Sequence, residues 1–194
     1  RPLKCGKFTL YAYAIDGLTS GADTSEYVIR PITDNLQGDT IQALYTSALR
    51  GRVYNSVADP CRDLDTVALK LVNGFCVILF PEAGAIAFEV KTGEKRGISA
   101  PEVENTVKGA KDAFVETVRT NTSLLRRHLR SPELRLYETR VGRRSLTNVT
   151  VCYVEGITNP TLVGRMKKRL NDMDTDGFLS PAAVEEAVTG SRKT

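Results

Sequence analysis

The chain has 194 residues, 41% of them hydrophobic, and 27 basic against 23 acidic side chains leave a net charge of +4. That composition excludes a disordered tail or a fibre and suits one globular domain or two small ones. No run of about 18 apolar residues is present to span a bilayer, no export signal opens the chain, and the start at Arg1-Pro2 without Met is expected of a piece cut from something longer.

Lys7 to Ile15 is rich in aromatic and aliphatic residues without a helical stripe and ends at Asp16-Gly17, which predicts a strand running into a turn. A helix is expected from about Asp23, its cap, with Tyr27, Val28 and Ile32 on one face. Ile41, Leu44, Tyr45, Ala48 and Leu49 have helical spacing, closed by Gly51. Val53 to Val57 reads as a short strand. Asp59-Pro60 then has the form of a helix start, with Leu64, Val67, Ala68 and Leu71 as the buried stripe and Gly74 as the stop.

Phe75 to Phe80 and Ala85 to Val90 are apolar runs around Pro-Glu-Ala-Gly, a hairpin pattern. The polar stretch Lys91 to Gly97 marks a seam, giving subdomains 1–95 and 96–194. Phe114, Val115, Val118, Leu124, Leu125 and Leu129 predict one long helix or two short ones, stopped by Ser131-Pro132. Leu134 to Val141 and Val149 to Val154 are strands about a turn at Gly142 to Leu146. Asn159-Pro160 caps a helix with Leu162, Val163, Met166 and Leu170 inside and Arg165, Lys167, Lys168 and Arg169 outside. A last helix starts at Ser180-Pro181. Strands alternating with helices predict an α/β fold of two small subdomains, each a mixed sheet packed with helices.

Ala14-Ile15-Asp16-Gly17-Leu18-Thr19 and Tyr153-Val154-Glu155-Gly156-Ile157-Thr158 share a strand end, an acid, a glycine, an aliphatic and a threonine, each ahead of a helix. They suggest one strand-turn-helix unit per half. An acid at such a strand end either faces a ligand crevice or shapes the turn before the helix's positive end.

Chemistry-bearing patterns are few. Asp172, Asp174, Asp176 and Gly177 imitate the first half of an EF-hand loop, but position twelve is Ala183 where a bidentate Glu is needed, so no metal is expected. Without a phosphate-binding loop, a dinucleotide fingerprint or a nucleophile elbow, and with His128 as the sole histidine, neither an enzyme nor a cofactor is expected. Cys5, Cys61, Cys76 and Cys152 form no Cys-x-x-Cys pair and read as small hydrophobes in a reducing compartment. The two sequons, at Asn121 and Asn148, are chance matches in a chain without an export signal. Arg119, Arg126, Arg127, Arg130, Arg135, Arg140, Arg143 and Arg144 fall between residues 119 and 144. This strip is either a solvated, internally paired face or a binding module for nucleic acid or anionic lipid.

From Ile98 to Val188 the chain resembles the A subunits of GerA-type spore germination receptors. The resemblance rests on Pro101, Glu104, Gly109, Phe114, Glu116, Thr120-Asn121, Leu124, Arg126-Arg127, Leu129, Pro132, Leu134, Gly142, Tyr153 and Gly156. Ala12 to Thr19 and Leu64 to Val90 look like the same family's opening half. The chain departs from the family at Ala100, where an acid is usual, and at Ala110 and Ala113, where Pro and Gly are common. The resemblance implies the soluble N-terminal domain of a larger membrane-embedded nutrient receptor, two α/β subdomains on the spore-core side of the inner membrane. It also implies B and C subunits and further A subunits as partners, a small-molecule germinant, and no nucleic acid. Within the motif, Glu104, Glu116, Asn121, Arg126 and Arg127 are the candidate residues for an inter-subdomain or subunit contact, through forked donors, a bridging amide and nearby acids.

Overall fold

The computed structural model describes residues 1–53, 58–90, 113–177 and 181–189. It divides into two compact units, Arg1–Pro132 and Glu133–Thr194; the seam expected at 95/96 lies outside the described residues.

The first unit is built on a five-stranded sheet with the order β1-β2-β4-β5-β3. Its strands are β1 (Pro2–Cys5), β2 (Phe8–Tyr13), β3 (Ala58–Cys61), β4 (Phe75–Phe80) and β5 (Gly84–Glu89), all paired antiparallel. In β4, Cys76, Ile78 and Phe80 point to one face and Phe75 and Val77 to the other, and both faces are covered. That is why Phe-Cys-Val-Ile-Leu-Phe reads as a continuous apolar run and not as an alternation.

The larger core lies beneath a helical run made of α1 (Gly21–Asp23), a π-helical stretch (Thr24–Ile29) and α2 (Arg30–Asn35), together with α3 (Ile41–Ser47). Val28, Ile32, Leu44, Ile78, Phe80, Ile86 and Phe88 are all wholly buried there, so truncating any of the Leu or Ile side chains to Ala costs about 2–5 kcal/mol. Ser20, not Asp23, caps the first run, accepting from the Asp23 N–H at 3.2 Å. Thr40 does the same for α3. Gly51, at φ +84°, ends the π-helical extension of α3.

The opposite face carries α4 (Leu64–Val72), whose Val67 and Leu71 pack on Cys61, Phe75, Val77, Ala85 and Ala87. The expected helix start at Asp59-Pro60 is a strand instead: Pro60 sits in edge strand β3 opposite Ile86, where a missing N–H breaks no ladder. Asp63 is the cap, accepting from the Thr66 N–H at 2.6 Å, and Leu64 stays 84% exposed. Lys70 of α4 pairs with Asp59 and lies 4.5 Å from the centre of the Phe75 ring. Of the strand expected at Val53 to Val57, residues 54–57 lie outside the described residues.

Helix α5 (Val118–His128) belongs to the first unit and buries Leu124, while Phe114 and Leu129 remain exposed. The second unit is the hairpin β6 (Leu134–Val141) and β7 (Thr147–Val154) packed with α6 (Pro160–Asn171) and α7 (Pro181–Thr189). Val141, Leu170 and Val188 form its core, with Val149, Val151, Met166, Met173 and Val184 against them. Asn159 caps α6, as its sequence signature predicts. The α/β layering is thus present in both units.

Candidate functional site

The turn after β2 places an acid and a glycine where α5 arrives. The N–H groups of Leu18 and Thr19 donate to the Ile15 carbonyl at 3.2 and 3.3 Å, and the Thr19 hydroxyl donates to it at 3.1 Å. Gly17 has φ +81°. A Cβ there would stand 1.9 Å from Ser123 Oγ and 2.9 Å from Ser123 Cβ, so the turn admits α5 only because position 17 has no side chain. One helical turn before Ser123, Arg119 pairs with Asp16. Both charged groups are about 70% exposed, so the pair orients the helix and contributes at most about 1 kcal/mol. Leu18, by contrast, is only 6% exposed.

The approach to α5 is fixed by Asn121. Its Oδ1 accepts from the Val115 N–H at 2.8 Å and its Nδ2 donates to the Val115 carbonyl at 2.7 Å, so one side chain satisfies both main-chain groups of one residue. Thr117, in the N-cap position, offers no side-chain cap, and the Asn121 amide holds the incoming strand of chain instead.

Of the other candidate residues, Glu116 is exposed just before the helix, and Arg126 and Arg127 lie in its last turn beside His128. Cations there face the negative end of the helix dipole. Glu104 lies outside the described residues.

The second unit repeats the turn. Ile157 and Thr158 donate to the Val154 carbonyl at 3.3 and 2.9 Å, and Gly156 again has φ +81°. Glu155 also has an arginine partner, Arg135 of β6. Two differences stand out. Among the described residues nothing lies within 4 Å of a Cβ built on Gly156, and Ile157 is 84% exposed.

The calcium-like stretch has other work. Asp174 pairs with Arg143, and Asp176 lies 3.8 Å from Arg144 Nε and takes the N–H groups of Arg144 and Ser145 on its carbonyl at 2.9 and 3.1 Å. Gly177 lies 3.1 Å from a Cβ built on Gly142, so two glycines let the hairpin turn and the acidic loop touch. In the arginine strip, Arg119, Arg135, Arg143 and Arg144 all have carboxylate neighbours, which supports the internally paired reading over a polyanion face.

The sequence points to Asp16-Gly17 and Glu155-Gly156, but it places Arg119 and Arg135 only in the arginine strip, not as partners of those acids, and nothing in it singles out Ser123. The repeated acid-glycine pattern was the available signal. Nothing local revealed a partner 103 residues away.

A family model for Bacillus/Clostridium GerA spore germination proteins matches residues 1–194. Stage V sporulation protein AF of Bacillus subtilis (strain 168) is 34% identical over 142 residues, covering 72% of this chain and 29% of that protein. Spore germination protein GerLA of Bacillus cereus is 29% identical over 189 residues, 94% of this chain and 37% of that protein. The chain spans about a third of the length of the curated relatives it matches. The crystal structure of the N-terminal domain of the A subunit of the Bacillus megaterium spore germinant receptor GerK3 superposes with a TM-score of 0.71 at 21% identity, covering 100% of this chain and 72% of that one. At that identity the likeness is one of fold.

Proposed function

The chain belongs to the GerA family of Bacillus/Clostridium spore germination proteins, and from that premise we propose that it is the N-terminal domain of an A-type germination receptor subunit. It is a non-enzymatic part that contributes to germinant sensing, to assembly with B, C and further A subunits, or to coupling the signal to ion release. In this reading it works at the spore inner membrane, on the core side. The observation that carries the reading is the family match along the whole chain. The fold of a receptor A-subunit N-terminal domain supports it, and no described helix is long and apolar enough to cross a membrane. Within the domain, the coupling element is α5, which Asn121 joins to the chain before it and Arg119 and Ser123 seat on the Asp16–Thr19 turn.

The 34% identity to a stage V sporulation protein favours one second reading, a role in spore formation rather than in nutrient response. Deletion of the full-length gene in its own spore former separates the two. The receptor reading predicts normal spores that fail to respond to at least one nutrient; the second predicts a defect in the spores formed.

A further inference from the structure

The two matching turns differ in what happens to their aliphatic residue. Leu18 is buried at 6% in the first unit, whereas Ile157, in a turn of the same backbone form, is 84% exposed. Exposure is therefore not a property of the turn itself.

Ile157 leads directly into α6, and Leu162 in its first turn is 48% exposed. Val163, Met166 and Leu170 face the second unit's core, which by helical spacing turns Arg165 and Lys168 outward, and both are exposed. Between Pro160 and Asn171 the helix has four basic side chains and no acidic one. Two of the four are engaged locally: Lys167 donates to the Tyr153 hydroxyl at 3.1 Å and lies over the Tyr137 and Tyr153 rings, and Arg169 donates to the Val188 carbonyl. Arg165 and Lys168 make no ion pair among the described residues. The acid of the turn, Glu155, is neutralised by Arg135.

We propose that this outward face of α6, with Ile157 and Leu162 as apolar contacts and Arg165 and Lys168 as cations, rests on an anionic phospholipid surface. Two exposed aliphatics beside cations that make no ion pair among the described residues, on a convex helix face, match the way interfacial helices sit at the headgroup level, with aliphatics below the phosphates and cations among them. A nucleic acid would use the cations but leave Ile157 and Leu162 in water, and no aromatic ring on this outward face offers stacking.

The test uses the 194-residue chain alone with phosphatidylcholine vesicles, with and without phosphatidylglycerol, so its outcome does not depend on the germination reading. Sedimentation should show binding to the anionic vesicles, weakened by added salt, and little to the neutral ones. Arg165→Glu with Lys168→Glu should lower binding at least roughly fivefold per cation. Ile157→Asp, and the milder Ile157→Ser, should also lower it with the circular dichroism spectrum unchanged. Arg130→Ala with Arg140→Ala, in the arginine strip outside α6, should leave it as it was. Equal binding to neutral vesicles, no binding to anionic ones, or binding to heparin with vesicles ignored would overturn the proposal. So would vesicle binding that survives the α6 variants and disappears with the arginine-strip variants.

Discussion

Gly17 and Gly156 hold the same backbone conformation, φ +81° at each, yet Ser123 forbids a side chain at the first, while no described atom lies within 4 Å of a Cβ built on the second. The difference predicts unequal tolerance of one substitution. Gly156→Ala should cost about 1–2 kcal/mol, the strain of a left-handed residue. Gly17→Ala should carry that strain plus roughly 1–3 kcal/mol from overpacking against α5. Urea unfolding of the two variants checks this. Ser123→Gly combined with Gly17→Ala should recover part of the second penalty, and a double-mutant cycle without coupling would contradict the packing of α5 on the turn.

Asn121 holds the chain entering α5 through two bonds to Val115, at 2.8 and 2.7 Å. Asn121→Leu leaves the N–H and carbonyl of Val115 without these partners and should cost about 1–3 kcal/mol. Asn121→Asp retains the acceptor for the Val115 N–H but places a carboxylate against the Val115 carbonyl, so it should recover only part of the loss. Hydrogen exchange at the Val115 amide reads the effect directly: protection falls with Leu and persists with Asp.

Much of the fold was legible because local pattern and tertiary role agree there. Leu134 to Val141 has the chemistry of a strand at every position, and Asn159-Pro160 caps α6 as its residue types dictate. Asp59-Pro60 misled because the same dipeptide suits a helix start and an edge strand, and being at an edge is a property of the whole sheet. Strand β1, four residues long, is too short to carry a period. A bridging amide at Asn121 was readable from its residue type as part of an inter-subdomain or subunit contact; its local bonds to Val115 were not. The Arg119–Asp16 pair joins residues 103 apart and leaves no local trace. Asp174 and Asp176 imitate a calcium loop in sequence, and the reason for their charge, Arg143 and Arg144 across the hairpin turn, appears only once the chain is folded.

The cysteines should divide by reactivity. Cys5, Cys61 and Cys76 are buried and Cys152 is exposed. Burial raises the Cys5 and Cys61 thiols above their ordinary range and pushes Cys76 up to about 12, which keeps all three protonated and unreactive near neutral pH. Titration with an aromatic disulfide reagent should consume one equivalent in the native protein and four after unfolding. Cys152→Ser should abolish the native reaction.

Asp63 predicts an acid-side change in stability. The Thr66 N–H, and then the Thr66 hydroxyl, hold its carboxyl below the usual aspartate range. The stabilising contribution is therefore fully present above the unfolded value, about 3.9, and is lost as pH falls through the lower folded value. Thermal unfolding followed from pH 6 down to pH 2 should show that loss in the parent chain. Asp63→Asn, which caps without titrating, should lack this component of the pH dependence.

A working domain of a germination receptor subunit, with α5 seated on the Asp16–Thr19 turn as its coupling element, is needed for the response of the spore to nutrient. The direct measurement is the nutrient response of spores whose full-length protein carries Arg119→Ala with Asn121→Ala, set beside parent and deletion spores, with the amount of protein in the spore membrane measured in each. Deletion spores should lose the response to at least one nutrient, and the variant should lose most of that response while its protein level is retained. A full response in the deletion spores to every nutrient the parent senses would contradict the receptor assignment, and a full response in the variant alone would contradict the coupling role of α5.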